Sequence, residues 1–164
     1  MIIKDAMVLI HLAKMTVLEK SCDYFKKVEI AKTVYAEILF GKKKGFADAA
    51  LIENIVKNGK IIVKEVKNTK LISKANEFNI KGSEAESIAL YWRENADYLA
   101  SDDDNVRKKA DILNMNVIGT PAILSNLYEK RIIEKNKFID SVNKLKKIGW
   151  FNNSVIDKLL MKAK

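Results

Sequence analysis

The sequence predicts an α/β protein, a three-layer α/β/α sandwich around a mainly parallel central sheet. Two observations carry that prediction. Short apolar runs recur along the chain, and nearly every one is followed by a stretch with helical spacing, the pattern of parallel strands joined by crossover helices. The 164 residues are 48% hydrophobic and 31% charged, with only six Gly and one Pro, a balance that suits a globular chain rather than a disordered one. That length fits one domain built on one core.

Each element follows from local pattern. "MIIK" at the start reads as a short buried strand, and after Asp5 helical spacing runs through Leu9, Leu12, Ala13 and Val17. "VEI" at 28–30 is the second strand. "TVYAEILF" sets Val34, Ile38 and Leu39 on one face of a helix ending near Gly41, before the basic loop "GKKKG". A helix over about 47–58 is expected to bury Ala50, Leu51, Ile55 and Val56. "GKIIVKEV" is a strand opened by Gly59; its stronger alternation suits a sheet edge or antiparallel pairing. "TKLISKANEFN" and "GSEAESIALYWREN" are helical, "DYLAS" is a strand, "NVRKKADILN" a helix and "NVIGT" a strand. Helical segments from Pro121 to Leu127, around 131–147 and at 153–162 complete the chain. No repeat, low-complexity tract or linker divides it, so a single domain over 1–164 is expected.

Thirty Lys+Arg against 21 Asp+Glu leave a formal charge of +9, which favours an anionic partner, nucleic acid above all. No apolar run reaches the roughly 18 to 20 residues needed to cross a bilayer. "MIIKDAMVLIHLAKM" is broken by Lys4 and Asp5 and has no small-residue cleavage site, so a cytoplasmic protein is expected. Cys22 is the only cysteine and His11 the only histidine. An intrachain disulfide and a Cys-based zinc site are thereby excluded, and a His-rich site or His-centred triad has little support. Cys22 is expected to be an inert, partly buried thiol, and His11 a packed histidine with its hydrogen bonds satisfied. Any metal would be held by carboxylates, which selects a hard cation, Mg²⁺ or Mn²⁺. The absence of a Gly-Lys-Ser/Thr motif excludes a P-loop enzyme.

Ligands of open parallel sheets bind beyond the carboxyl ends of the strands, and this sorts the acids. Asp5 directly follows the first strand, and Asp102 and Asp103 directly follow "DYLAS". Glu84 and Glu86 lie in the first turn of the helix before that strand, and Glu37 lies one turn into the helix after the second. Each has a plain local alternative. An Asp after a strand is commonly an N-cap or turn residue, Ser83 and Glu86 have capping-box spacing, and Glu37 suits a solvated helix face. Their coincidence at one sheet edge favours a site, because crowded like charges are costly and a cation between them relieves the cost. Phosphodiester hydrolysis uses such a set: carboxylate-held divalent ions acidify a water and neutralise phosphate charge. Arg107 follows the acids closely enough to meet a phosphate, and Lys43 in "GKKKG" either grips phosphates near Glu37 or is a solvated loop residue. Trp92 shares a helix face with Ala85, Ile88 and Ala89, which suits core packing or a dimer contact.

The segments "KDAMVLIHLAKM", "VYAEIL", "GSEAESIAL", "ADYLASDDDNVRKKADILNMNVIGTPAIL" and "LKKIGWFNNSVIDKLL" together resemble PIN-domain proteins, in order and over almost the whole chain. The likeness is greatest to the branch with a Gly-Glu-Ala-Glu-Ala-Ile run and then Asp-Asp after a strand. "SEAES" followed by "ASDDDN" is similar to flap endonucleases as well. The resemblance implies an α/β/α nuclease using Mg²⁺ or Mn²⁺, with RNA as substrate, a small antitoxin protein as partner and a homodimer as assembly. Matched by position, it implies Asp5, Glu37, Glu84 and Asp103 as the catalytic acids, with Glu86 as a neighbouring acid. It further implies Asp5, Glu84, Asp102 and Asp103 as metal ligands; Arg107 and Lys43 are the nucleic-acid candidates by their position near the acids. Three departures from the family pattern stand out. Ala6 and Met7 stand where small hydroxyl residues are usual, Asn105 where a further Asp is common, and Ala31 or Lys32 where a proline often precedes the second-motif helix. A second reading therefore stays open, a catalytically attenuated module that binds RNA or protein. A receiver-type phosphoacceptor fits less well, since it needs neither Glu84 at a helix start nor the helices after "NVIGT".

Overall fold

Strands β1 (Ile2–Lys4), β2 (Val28–Ala31), β3 (Ile62–Lys64), β4 (Tyr98–Ala100) and β5 (Val117–Ile118) form one parallel sheet in the order β3-β2-β1-β4-β5. They are seen in a computed structural model that describes residues 1–164. Ten helices accompany them: α1 (Ala6–Lys14), α2 (Leu18–Phe25), α3 (Lys32–Lys43), α4 (Ala47–Lys57), α5 (Thr69–Asn76), α6 (Gly82–Glu94), α7 (Asp104–Lys108), α8 (Thr120–Glu129), α9 (Lys135–Ile148) and α10 (Asn153–Lys162). β1 and β2 are buried along their whole length, as strands covered on both faces are, and each carries one buried charged residue, Lys4 and Glu29. α6 packs against β1, β2 and β4, while α1 packs against α2, α3, α4 and α8. Helices thus cover both faces, and a cluster of 44 buried hydrophobic residues fills the layers between them.

The chain runs from β1 outward through β2 to β3, then returns to the other side of β1 for β4 and β5. The order therefore reverses between β1 and β4, the place where open α/β sheets bind ligands. Register makes the two strand ends level. Lys4 pairs with Ala100, the Asp5 N–H donates to the Ala100 carbonyl at 3.0 Å, and the Ser101 N–H donates to that of Ile118 at 3.0 Å. Asp5 and the aspartates after Ser101 must leave the sheet side by side.

Several elements differ from expectation. Helical spacing after Asp5 is interrupted at Thr16, whose φ of 57° is a left-handed conformation that ends a helix; the chain restarts as α2, a helix the apolar pattern does not show. β3, by contrast, takes the first of its two expected places, an edge strand, and it pairs in parallel. α4 buries Ala49, Ile52, Glu53 and Ile55 and leaves Leu51 exposed; Glu53 masks this face because Lys42 and Lys57 neutralise it. α7 stops at Lys108, and the chain then turns to drive Leu113 and Met115 into the core. Trp92 is half-buried against the core cluster, its indole N–H donating to the Leu113 carbonyl at 3.4 Å. Cys22 is fully rather than partly buried, and burial pushes its thiol pKa up, so it is inert.

Candidate active site

A cavity of about 300 Å³ opens at the reversal point, and Asp5, Glu37, Glu84, Asp102, Asp103 and Arg107 all line it. Five carboxylates predicted from four segments of the chain, and the arginine, therefore meet in one place. Each arrives by a local device. Asp5 ends β1 and caps α1, its Oδ1 accepting the Val8 N–H at 2.9 Å. Asp103 caps α7 in the same way, accepting from the Val106 N–H at 2.8 Å. Gly82, at φ +62°, makes the turn that starts α6, a conformation that favours glycine, and Glu84 stands in the first turn that follows. Glu37 reaches the cavity from the middle of α3, exposed and free of ion pairs. Lys43 is also on α3 but does not line the cavity.

Burial first, and crowding second, bear on the ionisation of Asp5. Burial pushes its carboxyl up to about 7, and the nearby Asp102 and Glu84 charges add to the rise; a hydrogen bond from Ser101 and the Val8 N–H oppose it. A family model described as a PIN domain matches residues 1–164. The chain belongs to the PIN-domain family. PIN domains are in general nucleases, and the all-parallel sheet with its acidic cavity at the reversal point is of that kind. No curated protein and no solved structure matches the chain.

Within this PIN domain the acids are not equivalent. Asp102, expected as a ligand, has both oxygens engaged: Oδ1 accepts the Thr120 N–H at 2.7 Å, while Oδ2 accepts the Thr120 hydroxyl and lies 2.8 Å from His11 Nδ1. Gly119 permits this, because a Cβ there would stand 3.0 Å from Asp102 Oδ1. The capping box that the Ser83–Glu86 spacing allowed as the local alternative does not form. Lys81 is the N-cap of α6 with no side-chain bond, and Glu86 instead accepts from the Thr33 hydroxyl at 2.9 Å, tying α6 to α3. Asn105 faces away from the cavity, its amide donating to the Asn79 carbonyl at 3.1 Å, and it lines a neighbouring hollow with Glu84 and Asp103. His11 is buried but not satisfied: its Nε2 has no partner.

Would a hard cation suit this PIN domain? The donor set is all oxygen, and a carboxyl driven up to about 7 by burial and like charge is one that a cation would return to its ionised form. Asp5, Glu84 and Asp103 bring such oxygens to the cavity, but no group of three or more His, Cys, Asp or Glu side chains stands in an arrangement that could hold a metal ion. Met7, 47% exposed, lines the wall together with Ala6, so no hydroxyl is offered there.

His11, Thr120, Trp150 and Phe151 belong to the neighbourhood without having been singled out for it. Phe151 stands edge-on to His11 with ring centroids 5.8 Å apart, and it lines the cavity with Trp150. Only one signal pointed to any of them. Gly119 and Thr120 follow a strand directly, the same position that marked Asp5 and Asp103.

Proposed function

We propose that this PIN domain is a metal-dependent ribonuclease of the cytoplasm and the toxin of a toxin–antitoxin pair. One observation carries the reading: Asp5, Glu84 and Asp103, from three separate elements, line a single cavity beside Arg107 at the sheet's reversal point. The +9 charge supports a polyanionic substrate. Asp5, Glu84 and Asp103 would hold Mg²⁺ or Mn²⁺; bound there, the ion acidifies water and neutralises phosphate charge. Arg107, exposed and without a carboxylate partner, meets a phosphate oxygen. Glu37, an unpaired carboxylate on the facing helix, takes the proton released by the attacking water. Asp102 positions rather than ligates, bracing α1 against β5 and α8 through His11 and Thr120. Phe40 and Phe46, both more than half exposed on the α3–α4 hairpin, support a protein partner there, an antitoxin or a second copy.

A second reading has its own support. Met7 offers no hydrogen bond at the wall of the cavity, which favours an attenuated module that binds without cleaving. Incubation with single-stranded RNA separates the two. Cleavage that needs millimolar Mn²⁺, stops with EDTA and is lost in Asp103→Asn supports the nuclease; RNA binding without any cleavage overturns it in favour of the module.

A further inference from the structure

Trp150 is fully exposed, at 101% of its reference area, yet it borders the cavity that Asp5, Glu84 and Asp103 line. An indole with no packing partner contributes nothing to the core, so its place at this rim calls for a ligand. The local chain throws it outward. Gly149 has an extended backbone, and the Phe151 ring folds back so tightly over it that a Cβ on residue 149 would stand 2.3 Å from the ring. Phe151 is held by His11, and the residue between must point away. The exposed side chains just before it are cations. Lys144, Lys146 and Lys147 close α9, and none of the three pairs with a carboxylate. An aromatic face beside unpaired cations is how proteins hold single strands, by stacking a base and tracking its phosphates.

We propose that Trp150 stacks an unpaired base of single-stranded nucleic acid while Lys146 and Lys147 hold the flanking phosphates. The strand then passes Arg107 with its next phosphodiester at the carboxylates. The function of this platform rests on the nuclease reading; the binding itself does not. Exposed lysines three and four residues before the indole favour a polyanion over the apolar face of a protein, and a duplex keeps its base faces stacked and out of reach.

Fluorescence tests this directly. A Trp92→Phe variant leaves Trp150 as the sole tryptophan, and EDTA keeps strands intact. Short oligouridylate and oligothymidylate should both quench it saturably, and their relative affinities show whether RNA or DNA is preferred. A duplex, and an abasic strand with the same phosphates, should quench little. In the otherwise unaltered chain, Trp150→Ala should weaken single-strand binding about tenfold, within the range for one stacked base, with an unchanged melting temperature. Trp150→Phe should restore most of the affinity. Equal quenching by the abasic strand, or full affinity in Trp150→Ala, overturns the proposal. Asp103→Asn separates it from the reading on which its function rests: loss of cleavage with binding retained supports both. Binding at Trp150 by a wild-type chain that never cleaves sinks the nuclease and leaves the platform standing.

Discussion

Asp5 has two employments, one oxygen on the Val8 N–H and the carboxyl as a whole in a crowded, buried place. The local and the functional readings of an Asp after a strand are thus both true, and pH separates them. The folded pKa of about 7 exceeds the unfolded value of 3.8, so between those values the folded chain holds the proton that the unfolded chain has released. Stability from this group is fully present below about 4 and is lost as pH rises to about 7, a penalty on the order of a few kcal/mol. Asp5→Asn caps almost as well and carries no such charge. Its melting temperature in EDTA should overtake that of the wild type as pH climbs through that window, while Mn²⁺-dependent cleavage is abolished. A constant difference between pH 4 and 8 would deny the buried charge; retained cleavage would deny the catalytic role. Met7 belongs to the same scale. Because it is half-exposed at the cavity wall, Met7→Ser should keep the fold and raise cleavage about tenfold, as outer hydrogen bonds to a metal site do. A drop in melting temperature with no gain in rate would place Met7 in the packing. Residue type and position relative to a strand made these acids legible. The engagement of Asp102 was not, since His11 and Thr120 lie far from it in sequence.

Elements were legible where apolar residues either cluster in a short buried run or repeat on one helix face. β1, β2, β4 and α6 stand where apolar spacing puts them, whereas α2 is amphipathic, short and marked mainly by the left-handed Thr16 before it. β1 carries an oddity that pattern alone treats as polar punctuation. Lys4 is wholly buried within the strand, its ammonium donating to the Ser21 hydroxyl and standing 5.3 Å from the Phe25 ring centroid. Burial lowers its pKa from 10.5 to about 8. Between those values the unfolded chain holds the proton and the folded chain has lost it, so stability from this group rises as pH increases from about 8 to 10.5. Lys4→Met, similar in reach and uncharged, should unfold at a higher temperature at pH 7 and lose that alkaline rise relative to the wild type. Thermal melts of both proteins from pH 7 to 10.5 read the difference. A variant less stable at pH 7 would show that the Ser21 bond outweighs the burial of charge.

At the scale of the whole molecule, alternation of strands and helices was enough to predict a parallel sheet with its acids at one edge, but the strand order that makes β1 central was not. The role of the last segments was equally hidden, because an exposed Trp150 and a folded-back Phe151 leave no periodic trace. Metal binding would act on this entire assembly. Mn²⁺ that prefers the folded chain should raise the melting temperature logarithmically once the site nears saturation, and Asp103→Asn should suppress the rise. Indifference to millimolar Mn²⁺, together with EDTA-resistant or absent cleavage, would remove the metal from the account.

The cavity also joins the two ends of the described chain: Asp5, just after the first strand, and Phe151, just before α10, both line it. A chain synthesised at about 5 to 20 residues per second makes Asp5 long before Phe151. The nascent protein can pair its early strands and still lack the aromatic side of its cavity until the end of α9 has left the ribosome. The carboxylates and Arg107 are made earlier, so nucleic-acid binding should strengthen once Trp150 and Phe151 complete the rim. A release series on stalled ribosomes would show it, with nucleic-acid binding strengthening between chains ending before Gly149 and those ending after Phe151.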